Sequence, residues 1–218
     1  MVEDPVELAP IEALQDETPR VRKHVLITGT GRAGTSFLVQ LLTHLGLDTG
    51  FTPEALKLLP FARAGLETGL WTRNPPYIVK SPFACDVDES LFRGRDRIEH
   101  AIIPVRRFEA AAASRVHVQQ EATGRRDGPK TPGGLWGTEI ADQQAATLRF
   151  KFTNLIETLV SLDVPITFLR YPGLVREPDY LYEKLRWLLG DVAWDRFHET
   201  FARVVKPEWI HQFGDDDC

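Results

Sequence analysis

Eight consecutive residues, Gly29-Thr30-Gly31-Arg32-Ala33-Gly34-Thr35-Ser36, carry the clearest chemical signal in the sequence. Three glycines strip side chains from a turn. That turn joins a short apolar run, His24-Val25-Leu26-Ile27-Thr28, to a stretch in which Phe37, Leu38, Leu41, Leu42 and Leu45 recur at helical spacing. Strand, glycine turn, helix is a context in which free backbone N–H groups at a helix start bind an anion. The turn is therefore read as a phosphate site rather than as a tight structural corner.

Three phosphate chemistries compete for it. As Gly-x-Gly-x-x-Gly, residues Gly29, Gly31 and Gly34 fit a dinucleotide loop, with Asp48 about 20 residues on as the ribose acid. The strand that should carry Asp48 is missing, because Gly46-Leu47-Asp48-Thr49-Gly50 is too poor in apolar, β-branched residues. As a nucleoside triphosphate loop, Gly29 to Gly34 has the right spacing, but Thr35 stands where a lysine should reach the β- and γ-phosphates. Such a site also needs a carboxylate for magnesium, whereas the candidate strands end in Lys80, in Arg106 and Arg107, and in Arg170. The third chemistry is a sulfuryl donor ending in a 5′-phosphosulfate, with a cation inside the loop. Arg32 supplies that cation.

On these residues the chain resembles the sulfotransferase family of bacterial type, which uses 3′-phosphoadenosine 5′-phosphosulfate (PAPS) and releases 3′-phosphoadenosine 5′-phosphate (PAP). Arg32-Ala33-Gly34-Thr35-Ser36 is similar to the family's 5′-phosphosulfate loop. Ile102-Ile103-Pro104-Val105-Arg106 followed by Ala111-Ala112-Ala113-Ser114 is similar to its 3′-phosphate motif, with Arg106 and Ser114 eight positions apart. Val79-Lys80-Ser81-Pro82 looks like the Lys-x-Pro segment, and Phe168-Leu169-Arg170-Tyr171-Pro172-Gly173-Leu174 looks like the late strand and its tyrosine turn. The matches run in order from about residue 24 to 190. Two departures stand out: Pro172 replaces a common glutamate, and Pro82 falls where animal members carry a histidine base.

The resemblance implies a P-loop-like α/β fold and a transferase that moves a sulfuryl group to a hydroxyl of a small-molecule, carbohydrate or lipid acceptor without a metal. It implies donor binding by Gly31, Arg32, Ala33, Gly34, Thr35 and Ser36, by Arg106 and Ser114 at the 3′-phosphate, and by Tyr171. Arg32 would bridge the 5′-phosphate and the moving group, and Lys80 would neutralise the donor or orient the acceptor. Glu54, which follows the P-loop helix where carbohydrate-sulfating bacterial members carry a catalytic glutamate, is the first choice of base that the resemblance implies, with Asp86 in reserve. Trp71, Tyr77 and Trp136 are candidate acceptor-pocket aromatics. The alternatives held beside this reading are a P-loop nucleotide-binding protein or kinase, a nicotinamide-dependent enzyme, and a nucleotide-binding module without turnover. Neither His44, His117 nor any other of the six histidines forms a metal-spaced pair, so no metal site is expected.

The elements that must position these residues follow from periodicity. Strand-like runs occur at His24 to Thr28, Tyr77 to Lys80, Ala101 to Val105 and Ile166 to Leu169, and helical patterns at Glu54 to Glu67, Glu109 to Gln120, Glu139 to Ser161 and Tyr180 to Leu189. Leu148, Phe152, Leu155 and Leu159 share one helix face. Consecutive apolar residues in the strands predict a mainly parallel sheet covered by helices on both faces, a three-layer α/β fold. Residues 121–134, rich in glycine, proline and charge, offer no core face and read as a mobile loop.

Composition sets the bounds. With 218 residues, 43% hydrophobic and 26% charged, the chain is that of an ordinary globular protein with room for a sizeable core. Its net charge of −5 is uneven, since residues 1–18 hold six acids and no Lys or Arg, and Asp215 to Asp217 form an acidic end. Residues 19–214 carry 22 acids against 26 bases, a balance suited to a small polyanion rather than a nucleic acid. The expected organisation is a disordered acidic segment over 1–19, one α/β domain over 20–214 and an acidic tail over 215–218. Glu3 and Asp4 stand where a secretory leader would be basic, no apolar run is long enough to span a membrane, and Cys85 and Cys218 lack metal spacing. A cytoplasmic protein with free thiols is expected; oligomeric state is left open.

Overall fold

A computed structural model describes residues 22–70, 72, 74–86, 96–210 and 213; the acidic N-terminal segment, the tail after Phe213, Trp71 and Cys218 lie outside the described residues. Four strands, β1 (Arg22–Ile27), β2 (Ile78–Lys80), β3 (Asp96–Val105) and β4 (Ile166–Arg170), form an all-parallel sheet in the order β2-β1-β3-β4. In register, Ile27 lies opposite Lys80 on one side and Ile102 on the other, while Val105 lies opposite Arg170. Because every strand runs the same way, the residues that follow them emerge along one edge of the sheet. The strand order reverses direction between β1 and β3, which opens a crevice at that edge.

The side-chain alternation of β1 sorts the core into two layers. Val25 and Ile27 face a cluster with Leu38, Leu41 and Leu42 of α1 (Thr35–His44), Leu181 and Leu185 of α5 (Pro178–Leu189), and Phe197 and Phe201 of α6 (Trp194–Val204). Leu26 faces the opposite cluster, with Ala111 and Ala112 of α2 (Phe108–Thr123) and Leu148, Leu155 and Leu159 of α3 (Gln144–Ser161). The one-turn helix α4 (Gly173–Arg176) follows β4. This is the expected α/β fold, a parallel sheet between two helical layers. No helix among the described residues is long and apolar enough to cross a membrane.

Three local expectations need correction. Glu54 to Glu67 is not a helix: only Pro53–Ala55 makes a 3₁₀ turn, and the chain then folds back through an isolated antiparallel bridge between Leu59 and Ala64. Pro60 explains the break, since it lacks a donor and pushes Leu59 out of the helical region. Regular α-helix begins at Gln144 rather than Glu139, after a 3₁₀ turn over Ala141–Gln143. Residues 124–134 are tied to the body by polar groups: Gln119, wholly buried, bonds Pro129 O, the Thr131 hydroxyl and Leu135 N, while Gly128 N–H donates to Glu139 O. The periodicity reading also places nothing at α6, whose Phe197, Phe201 and Val204 pack inward at helical spacing.

Candidate functional site

The crevice between β1 and β3 opens into a cavity of about 410 Å³, within the range of small-molecule sites. Its floor is the turn from β1 into α1. Gly34 is the residue before α1, with φ +91°, and a Cβ there would lie 2.9 Å from Leu174 Cδ1, so a side chain is excluded by both backbone and space. Gly31, φ +72°, comes so close to Arg115 that a Cβ would sit 2.7 Å from its Nη2. The glycines let α1 begin beneath an open cavity with Thr35 and Ser36 in its first turn.

Four cations converge on this floor from different elements. Arg32 has φ +58° and turns its guanidinium across the cavity, donating through Nε to Ser114 Oγ at 3.0 Å and through Nη1 to Ala62 O. Arg106, at the end of β3, donates to Arg32 O at 3.2 Å and stacks its guanidinium 4.7 Å from the Tyr171 ring. Arg115, one residue beyond Ser114 on α2, is buried and clamps the turn from beneath, donating to Thr30 O at 2.6 Å and to Gly134 O at 2.8 Å. Lys80, at the end of β2 and 3% exposed, donates to Ser36 Oγ at 3.0 Å, to Glu67 Oε1 at 2.9 Å and to Gly65 O.

Two of these charges lack a described acidic partner. No described carboxylate pairs with Arg32 or Arg115, and Arg115 Nε has no hydrogen-bond partner. Burial, then the nearby Arg106, pushes Arg32 down to about 10. Burial, then Arg32, pushes Arg115 down to about 9. Burial also lowers Lys80, against the opposing pull of Glu67. Arg32 and Arg115, buried beside a helix start without a described carboxylate, form a site that an anion would stabilise.

Gly31, Arg32, Gly34, Thr35, Ser36, Lys80, Arg106, Ser114 and Tyr171 thus meet in one cavity, while Ala33, between them in sequence, is buried under the turn. Other expected residues stand elsewhere. Glu54 is fully exposed on its 3₁₀ turn, outside the cavity, and hydrogen bonds from its own N–H and from Thr52 hold it below the usual carboxylate range. Asp86 accepts from Trp136 Nε1 at 3.1 Å and from Lys151, a clamp on the back of the cavity wall. Of the candidate aromatics, Trp136 lines the cavity, whereas Tyr77 faces away and bonds Glu99 at 2.5 Å. Arg170 is turned outward to Glu177.

The motif reading passed over Arg115 and Glu67. Arg115 had a signal available, since it follows Ser114 directly. Glu67 had none, because the fold-back that brings it to Lys80 was read as helix. That segment carries Arg63, Gly65 and Leu66 at φ +46°, +132° and +64°, a backbone whose non-glycine members cost on the order of 1–3 kcal/mol each. It is fastened to β2 by Thr68 N–H to Lys80 O at 2.9 Å and Lys80 N–H to Thr68 Oγ1 at 2.9 Å.

No group of His, Cys, Asp or Glu that would hold a metal ion occurs among the described residues. The chain is similar to a sulfotransferase domain from the Synechococcus PCC 7002 olefin synthase. Identity is 17%, the match covers 90% of this chain and 85% of that one, and the TM-score is 0.49. No family model matches the chain. Nor does any curated protein.

Proposed function

We propose that the protein is a sulfotransferase that binds PAPS in this cavity and transfers its sulfuryl group to a hydroxyl of a small-molecule, carbohydrate or lipid acceptor. The observation that carries the reading is the convergence of Arg32, Lys80, Arg106 and Arg115, with Ser36 and Ser114, on one glycine turn at the C-terminal edge of the sheet. In this reading the backbone N–H groups of Gly31 to Ser36 hold the 5′-phosphosulfate. Arg32 and Lys80 lie beside it and offset the charge that develops on the leaving oxygen. Arg106 and Ser114 hold the 3′-phosphate, and Tyr171 lies against the guanidinium of Arg106 on the nucleoside side. The bound donor supplies the activated sulfur; the chain supplies orientation, charge and exclusion of water.

Fit to such a donor is supported by the two buried arginines, Arg32 and Arg115, without described acidic partners. Phe37, Leu58, Leu59, Trp209 and Ile210 also line the cavity, and their apolar surface suits an adenine ring and an acceptor with apolar surface. A kinase reading is less well supported, because the one described carboxylate at the cavity is Glu67, already bonded to Lys80, where a nucleoside triphosphate needs an acid for magnesium.

The test is transfer itself. With donor labelled in the sulfuryl group and a panel of sugars, phenols and lipid alcohols, we expect label on at least one acceptor with release of one PAP per product, unaffected by chelator. Phosphoryl transfer from magnesium-ATP to the same panel, with no sulfuryl transfer, would contradict it.

A further inference from the structure

Among the described residues, seven basic side chains line the cavity and a single acidic one, Glu67, with no histidine. Sulfuryl transfer to a hydroxyl must dispose of the hydroxyl proton. The arginines already hold their protons, and Lys80 uses its ammonium as a donor to three acceptors. The hydroxyls of Ser36, Ser114 and Tyr171 are weak bases. Among the described lining residues this leaves one proton acceptor.

The geometry of Glu67 fits that task. Its Oε1 is fixed by Lys80 Nζ at 2.9 Å, whereas no described group hydrogen-bonds Oε2, and the side chain, one of those lining the cavity, is 42% exposed. The same Lys80 also donates to Ser36 in the first turn of α1, so one ammonium spans the distance between the anion floor and the carboxylate. Behind Glu67, Leu66 is buried at φ +64° in the core cluster of α1, and Thr68 is bonded twice to Lys80. Left-handed backbone at a non-glycine residue persists where surrounding contacts over-determine it, and it gathers at functional sites. Here it carries the one described carboxylate that lines the same cavity as the anion floor.

Resting on the sulfotransferase reading, we infer that Glu67 is the general base of the reaction, with Lys80 as the residue that positions it. The acceptor O–H proton passes to Glu67 Oε2 as the acceptor oxygen forms its bond to sulfur. The bond between sulfur and the bridging oxygen of the 5′-phosphate breaks, and its electron pair leaves on PAP. The products are the sulfate ester, PAP and a protonated Glu67, which returns its proton to solvent. No oxidant, reductant or further reactant is required.

The test compares Glu67→Gln with the parent in PAP affinity and in turnover. Glutamine keeps an oxygen for Lys80 but takes no proton. PAP affinity and donor KM are expected within about twofold of the parent and kcat lower by about 100-fold or more, the lower range for loss of a general base. In Glu67→Ala, formate is expected to restore part of kcat, which a structural role would not allow. If the parent transfers and Glu67→Gln keeps kcat within about threefold, or loses kcat and PAP affinity together without formate rescue of the alanine variant, the inference is overturned while the sulfotransferase reading stands. If the parent binds no PAP and transfers to no acceptor, both fall.

Discussion

At the scale of single residues the site holds two buried arginines, Arg32 and Arg115, with no described acidic partner. An arginine whose value in the fold lies below the ordinary one releases its proton more readily there than in the unfolded chain. For Arg115, at about 9, both states are charged at neutral pH, so the fold carries the whole cost of the buried charge; stability from this group rises only as pH climbs from about 9 toward the unfolded value. An anion removes that cost at pH 7. The melting temperature at pH 7 should therefore rise with sodium sulfate, saturably and at millimolar concentration, and not with sodium chloride of equal ionic strength; equal shifts would count against the site. For Arg106, replacement by alanine should weaken PAP by about 1.5–3 kcal/mol, the range for a hydrogen bond to a charged group. Affinity for adenosine 5′-phosphosulfate, which lacks the 3′-phosphate, should hardly change. Calorimetric titration of both ligands separates this from damage to the fold, which would weaken them alike.

At the scale of elements, the turn and the loop above it decide whether the cavity exists. A Cβ at Gly34, φ +91°, would lie 2.9 Å from Leu174 Cδ1, so Gly34→Ala should lose about 1–3 kcal/mol of stability in urea titration and most anion binding. Unchanged stability would mean that the turn can relax. Much of this level was legible in the sequence. The apolar run before Gly29, the helical spacing after Ser36 and the arginine after Val105 each rest on short-range patterns, and the structure has β1, α1 and β3 there. The fold-back over residues 58–68 was not legible, because Leu58, Ala62 and Leu66 are spaced as on a helix while Pro60 and three left-handed residues bend the chain. Residues 124–134 were not legible for a different reason. They are held by Gln119 and backbone carbonyls rather than by an apolar face, and hydrophobic periodicity does not register polar tethers.

At the scale of the whole molecule, two helical layers hold four parallel strands so that Ser36, Lys80, Arg106 and Tyr171 arrive at one edge. The layer containing α6 closes over α1, with Phe197 wholly buried against Tyr182 and Phe201. Phe197→Ala should cost about 3–5 kcal/mol, read as a lower urea midpoint; a change below about 1 kcal/mol would place α6 outside the cooperative unit. The central claim, that this edge is built for a 3′,5′-bisphosphorylated nucleoside, is tested most directly by calorimetric titration of the protein in chelator with PAP, with adenosine 5′-monophosphate and, after adding magnesium, with ADP. PAP should bind at least about tenfold more tightly than adenosine 5′-monophosphate, as one charge-assisted contact requires, and magnesium-ADP should be weaker than PAP. Equal affinities for PAP and adenosine 5′-monophosphate, or tighter binding of magnesium-ADP, would contradict the account.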